Sequence, residues 1–379
     1  MRQKRLSRSL NTLLRKIENL HGTPLNELSD LLKDLVVGAQ MQGDHDGEQQ
    51  INTYVQNILD RLPQRLNDRF LFDAYLIQSA LRSWSQGQIR FSNMVIPTYS
   101  MDWGHESPIY IQSVENSDIH RFDIIRIRSN GQDDTPDLVD YPWLFHELGH
   151  YLISKNGRPI LEQFLLKINN LISRLRIRGI ADKGIAKTRA DSITDEISAR
   201  WIPNSINDPA WLRELVVDVI ALWSLGPAYI EAFELEHTNV SDPFLIEQSH
   251  PPVELRTKVL VETAEKLGWK SEAQKLKVLM KQWRFKLPHS IRNRYISLSK
   301  IELIDAAINA TTDFCTTAKI PRLDTPQLER ILGLINENIV PEESIDIIFG
   351  AYLVYKKGET IYENWETKIY QSLVTEIRP

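Results

Sequence analysis

Residues 144–150 read LFHELGH, two histidines four apart with a glutamate beside the first, in an apolar run that continues through Tyr151, Leu152 and Ile153. Positions four apart share one face of an α-helix, so His146 and His150 can present two imidazoles to a single ion. Glu147 lies about 100° further round, near enough to reach a water at that ion without displacing it. Pro142 suits the first helical turn, with Asp140 or Tyr141 at the cap. Gly149 is a poor helix former whose missing side chain lets another backbone or a substrate come close. Imidazoles and a carboxylate among such apolar neighbours are costly unless paired or metal-bound. The stretch is therefore read as a zinc-binding helix.

A zinc site of this kind takes a third protein ligand. Candidates downstream are Glu162, then Asp191, Asp195 and Glu196 in DSITDEISAR (191–200), then Glu214 and Asp218 in WLRELVVDVIALWSLGPAY (211–229). The last stretch is apolar nearly all round, so its helix should be buried. Two carboxylates four apart on a buried helix need a partner, and a zinc with its imidazoles is one. Glu214 is expected to bind the metal, and Asp218 to accept the N–H of a ligand histidine, His146. Glu196 stands as the alternative third ligand.

H-E-x-x-H followed at a distance by E-x-x-x-D on a helix resembles the gluzincin metallopeptidases. The stretch HPPVELR (250–256) resembles the His-Pro…Arg signature of the family of CAAX prenyl endopeptidases and the bacterial protease HtpX. The resemblance covers roughly residues 90–260. It implies that His250 faces the active site and stabilises the oxyanion, and that Arg256 braces the helix of Glu214 and Asp218. It also implies a zincin-like catalytic domain holding one Zn2+ per chain. The expected chemistry is hydrolysis of a peptide or protein substrate, with Glu147 taking the proton of the attacking water. A non-peptidase zinc hydrolase, or a zincin-fold regulatory or binding protein, is the alternative. Those relatives are largely membrane-bound, and nothing in this chain carries that property over.

Around this centre the periodicity is helical, except in one place. IRFSNMVIPTYS (89–100), SPIYIQSV (107–114) and HRFDIIRIRS (120–129) are short, β-branched and bounded by turn formers, so they read as strands. The third slips phase between Ile124 and Ile125, which predicts an edge strand with a bulge. Its free edge would then be the substrate platform. Leucine stripes predict helices over residues 6–40, QGDHDGEQQ (42–50) reads as a polar turn, and residues 50–86 read as a helical pair. ERILGLINENIV (329–340) and SIDIIFGAYLVYKK (344–357) are helical too. The expected class is α+β and mostly helical, with a small mixed sheet beside the H-E-x-x-H helix. The expected units are an N-terminal helical region (1–48), the catalytic domain (49–268) and a C-terminal helical region (269–379). Either helical region could dock a partner or cover the cleft.

A formal charge of −5 over 379 residues gives no general attraction to nucleic acid or anionic lipid. Cys315, the single cysteine, excludes an internal disulfide and a cysteine-based zinc site, and it suits a reducing compartment. The basic start MRQKRLSRSLNTLLRKIENL lacks the apolar core of a signal peptide, and Leu215–Ile230 is too short to span a bilayer. A soluble, cytoplasmic protein acting without nucleic acid or membrane is expected. Residues 231–250 hold five acids and no Lys or Arg, which hints at basic substrate residues if this segment rims the cleft. The sequence leaves the oligomeric state open.

Overall fold

The computed structural model describes residues 12, 14–17, 26–42, 45–61, 68–85, 95–100, 102–112, 119–128, 137–181, 195–202, 211–283 and 286–377. Helices α1 (Asn26–Gln42), α2 (His45–Arg61) and α3 (Asp68–Ser85) come first. Strands β1 (Val95–Ser100), β2 (Gly104–Gln112) and β3 (Ile119–Arg128) follow, then α4 (Pro142–Asn156) and α5 (Arg158–Ala181). After a short helix over 195–201 come α6 (Trp211–Leu225), α7 (Pro227–His237), α8 (Val253–Leu267) and α9 (Lys270–Trp283). The C-terminal part is α10 (Arg292–Leu298), α11 (Ile301–Thr317), α12 (Thr325–Asn336), α13 (Ser344–Tyr355) and α14 (Glu359–Ile377). The protein is thus α+β, mostly helical, with a small mixed sheet among the described residues. The polar stretch at 42–50 is shorter as a connection than expected, because α2 already begins at His45. Leu6 and Leu10 of the first leucine stripe, and Asp191, lie outside the described residues.

The sheet order is β1-β3-β2, with β3 parallel to β1 and antiparallel to β2. This overturns the edge-strand reading of β3, which is the central strand and has neither edge open to a peptide. The bulge lies in β2, where the register shifts between Glu106 and Ile109. The apparent phase slip in β3 has a different cause: both of its faces are buried. Phe122 and Ile124 pack with Leu28, Leu32, Val36 and Val55 of α1 and α2, whereas Ile125 and Ile127 pack into the cluster that holds α4 and α6. A strand buried on both sides loses the simple alternation of an edge.

That larger cluster runs from Phe72 to Val374, so residues on both sides of position 268 share it. It closes around α6, where every residue from Leu215 to Leu225 is buried. The C-terminal helices clamp this arrangement through main-chain contacts. Leu323 N–H donates to the Trp223 carbonyl, and the Trp223 indole N–H donates to the Ile320 carbonyl. Tyr362 and Glu366 of α14 hold Asp137 and the Leu138 N–H, just ahead of α4. Among the described residues, no helix is long and apolar enough to cross a membrane.

Candidate metal centre

Helix α4 starts at Pro142 with Tyr141 at the cap, whose side chain makes no capping bond. Instead the Tyr141 hydroxyl reaches back to Asp73 of α3. One turn into the helix, His146, Glu147 and His150 are all buried against α6. Gly149 sets the spacing of the two helices. A Cβ there would lie 3.0 Å from Val217 Cβ and 3.1 Å from its Cγ1, so the bare backbone lets α6 approach. The neighbour that Gly149 admits is thus a helix. Glu214, one turn before Val217, is brought opposite both imidazoles. His146 Nε2 lies 3.5 Å from Glu214 Oε2, and His150 Nε2 lies 3.4 Å from Glu214 Oε1.

Behind this trio sits Asp218, fully buried. His146 Nδ1–H donates to Asp218 Oδ1 at 2.9 Å, which orients the ring with Nε2 towards Glu214. Arg256 donates to the same carboxylate twice, from Nε at 2.8 Å and Nη2 at 2.7 Å. The Arg256 guanidinium also lies near two aromatic rings, 5.3 Å from the Phe233 centroid and 5.7 Å from that of Trp143. Asp218 and Arg256, both singled out in the sequence, are thus brought together with His146. Sequence reasoning missed Tyr229, whose hydroxyl donates to Asp218 Oδ1 at 2.6 Å and lies 3.1 Å from His146 Nδ1. Gly226, at a φ of 50°, breaks the chain between α6 and α7 so that Tyr229 can fold back. Tyr229 lies beyond the break at Gly226 in a separate helix, so the helical period of α6 does not by itself lead to it.

The electrostatics follow the contacts. Burial opposes a charge on His146, but hydrogen bonds to Asp218 and Glu214 outweigh it and push the imidazole up to about 9. Burial likewise opposes the Glu214 and Asp218 charges. His150, His146 and Arg256 nevertheless hold Glu214 well below the usual carboxylate range, and Arg256 and His146 do the same for Asp218. Burial and Asp218 together push the Tyr229 hydroxyl up, so it stays a donor.

The described residues contain one set of donor atoms suited to a metal ion: His146, His150 and Glu214, with ligand atoms all within 4.8 Å of one another. Two ligands at about 2.05 Å from a tetrahedral ion lie about 3.4 Å apart, close to the separations found here. Two nitrogens and one oxygen, with an imidazole held from behind by a carboxylate, fit a catalytic zinc site with one position left over. One contact works the other way. Arg213 Nε donates to His150 Nδ1 at 3.1 Å, which places that ring's proton on Nε2, facing Glu214. A metal at both Nε2 atoms must displace protons now held between the imidazoles and Glu214, so binding should strengthen as pH rises.

The trio opens into a cleft of about 550 Å3 that Glu147 and His250 also line. His250 is at the rim, with its side chain 59% exposed and Nδ1 2.9 Å from the Ser249 hydroxyl. Glu196 is not part of the centre, since Arg294 and Arg200 engage it elsewhere. Glu162 is exposed on α5 and accepts from Arg158, and Asp195 is exposed as well. Of the acidic segment, only Glu236 brings a carboxylate to the cleft, and Arg128 meets it with two hydrogen bonds at 2.8 and 2.9 Å. The acidic rim is therefore largely neutralised. No described residue of either helical flank lines the cleft. Comparison with protein-family models, with curated proteins and with solved structures finds no match for this chain.

Proposed function

We propose that the chain is a zinc metallopeptidase of the gluzincin type, with a zincin-like catalytic unit built on α4 and α6. The observation that supports this most is the convergence of His146, His150 and Glu214 on one point, with Glu147 beside them in the cleft. When bound there, zinc acidifies a coordinated water and polarises the scissile carbonyl. Glu147, at a carboxylate oxygen, takes the proton of the attacking water and returns it to the leaving amine nitrogen. Asp218, held by Arg256 and Tyr229, keeps a His146 proton on Nδ1, so that Nε2 is the nitrogen that would release its proton to a metal. His250 reaches the cleft from its rim and can donate to a developing oxyanion.

The peptide-pairing edge is assigned to β2 in place of β3. Among the described strands β2 pairs only with β3, and Asp102, Trp103 and Gly104 at its start line the cleft. An extended peptide adding to the start of that edge would border the cleft that holds the metal group. The test is cleavage of a peptide library by zinc-loaded protein, with Glu147→Gln as control. Hydrolysis by the wild type alone supports the reading. Turnover of esters or small amides without peptides would replace it with a non-peptidase hydrolase.

A further inference from the structure

His237, the last residue of α7, lines the same cleft and takes no part in the metal group. Its surroundings fix the ring completely. Its Nδ1–H donates to the Phe233 carbonyl at 2.9 Å, so the tautomer is set. One face stacks on the Phe233 ring, with centroids 4.2 Å apart and planes 13° from parallel. The Trp143 indole lies 5.9 Å away, and the same indole lies 5.4 Å from His146, which puts His237 one aromatic ring from the metal group. Burial and the nearby Arg256 both oppose a charge and lower the imidazole to about 4, so it is neutral under ordinary conditions.

With one face on Phe233 and Nδ1 on the backbone carbonyl, Nε2 is the remaining polar atom of this cleft-lining ring. In this tautomer Nε2 has a lone pair and no proton, so it can only accept. The other polar groups of the cleft include the carboxylates Asp102, Glu147, Glu214 and Glu236, of which Glu236 is taken up by Arg128 and Glu214 belongs to the metal group. Arg126, Arg128, Arg213 and Arg256 also line the cleft, and all of them are donors. A carbonyl oxygen of a substrate has several places to go, whereas an uncharged acceptor suits an N–H.

We propose that His237 Nε2 accepts a hydrogen bond from a backbone amide N–H of the substrate, next to the scissile bond. His237 is then a specificity residue that selects peptides over esters. This rests on the hydrolase reading above. A rigid acceptor left unpaired in a partly desolvated wall penalises a ligand that lacks the N–H, and pairing it rewards one that has it.

The experiment uses full-length, zinc-loaded protein and a cleaved peptide in which each non-scissile amide is replaced in turn by an ester. In the wild type, one replacement flanking the scissile bond should lower kcat/KM about 3–10-fold. His237→Phe should lower kcat/KM on the all-amide peptide by a similar factor, keep its zinc, and show no further loss with that ester. His237→Gln, which restores an acceptor, should recover part of the loss. The proposal is overturned if no ester position matters in the wild type, a result that needs no variant to fold. Equal ester penalties in the wild type and His237→Phe overturn it as well. If zinc-loaded wild type cleaves no peptide and matches Glu147→Gln, the peptidase reading itself fails and takes this inference with it.

Discussion

Two buried aspartates in this protein have nearly the same company and opposite behaviour. Asp218 on α6 accepts from Arg256, Tyr229 and His146, and Asp73 on α3 accepts from Arg69, Tyr99 and Tyr141. Both are fully buried. Asp218 is held below the usual carboxylate range, whereas burial drives Asp73 above it in spite of Arg69 and the two tyrosines. The difference lies in the donors. Arg256 gives Asp218 two charge-assisted hydrogen bonds and His146 adds a third, while Asp73 has one from Arg69 and two from neutral hydroxyls. The first arrangement keeps a full negative charge behind a histidine of the candidate metal group. The second ties α3 and β1 to the cap of α4.

The largest expected effect separates chemistry from this framework altogether. Glu147→Gln touches neither aspartate and should lower peptide turnover by about 10²–10⁴-fold with metal content unchanged, as elemental analysis would show. Glu214→Ala should abolish stoichiometric zinc, and a full complement of zinc in that variant would refute Glu214 as a ligand. Changing the two aspartates in parallel tests the comparison directly. Asp218→Asn strands Arg256 and should cost about 3–5 kcal/mol of stability and 10–100-fold in zinc affinity. Asp73→Asn, which mimics the protonated acid, should leave zinc affinity alone and cost about 1–3 kcal/mol. Equal zinc losses in both would erase the distinction.

Gly149→Ala probes the spacing that brings Glu214 to the imidazoles. The added methyl meets Val217 and should cost about 1–3 kcal/mol by overpacking, together with weaker zinc binding. The smallest expected effect is a pH dependence at the C-terminal clamp. Burial pushes Glu366 up to about 7, against hydrogen bonds from the Tyr362 hydroxyl and the Leu138 N–H. A carboxyl raised in this way supports the fold fully below its unfolded value near ~4.3 and loses that support as pH rises through 7. The melting temperature of the wild type should therefore fall more between pH 5 and 8 than that of Glu366→Gln. Asp218 has the opposite sign: its contribution is complete above ~3.9 and is lost as pH falls below that.

How much of the centre could be read in the chain follows from these cases. Glu214 and Asp218 were legible because two acids four apart interrupt a helix that is otherwise apolar, and His146 and His150 because they share one face of another. Asp73 is just as buried and was not legible. Its partners come from α3, β1 and the α4 cap, and nothing local marks it. The misreading of β3 has a related origin, since alternating charges resemble an exposed edge until the helices on the second face are known. Glu196 shows the reverse limit, an acid at a plausible spacing that Arg294 takes up instead.

The sequence by itself determined the α+β class, the helix that presents two imidazoles, and the helix that presents Glu214 and Asp218. Those features depend on periods of 3.6 and 2 residues, which survive in one dimension. Only the tertiary structure decided that β3 is central, that Tyr229 folds back onto Asp218, and that His237 comes to line the cleft. Each of these depends on where separate elements cross. That is set by the packing of side chains far apart in the chain, such as Gly149 against Val217 and Arg256 against Phe233 and Trp143.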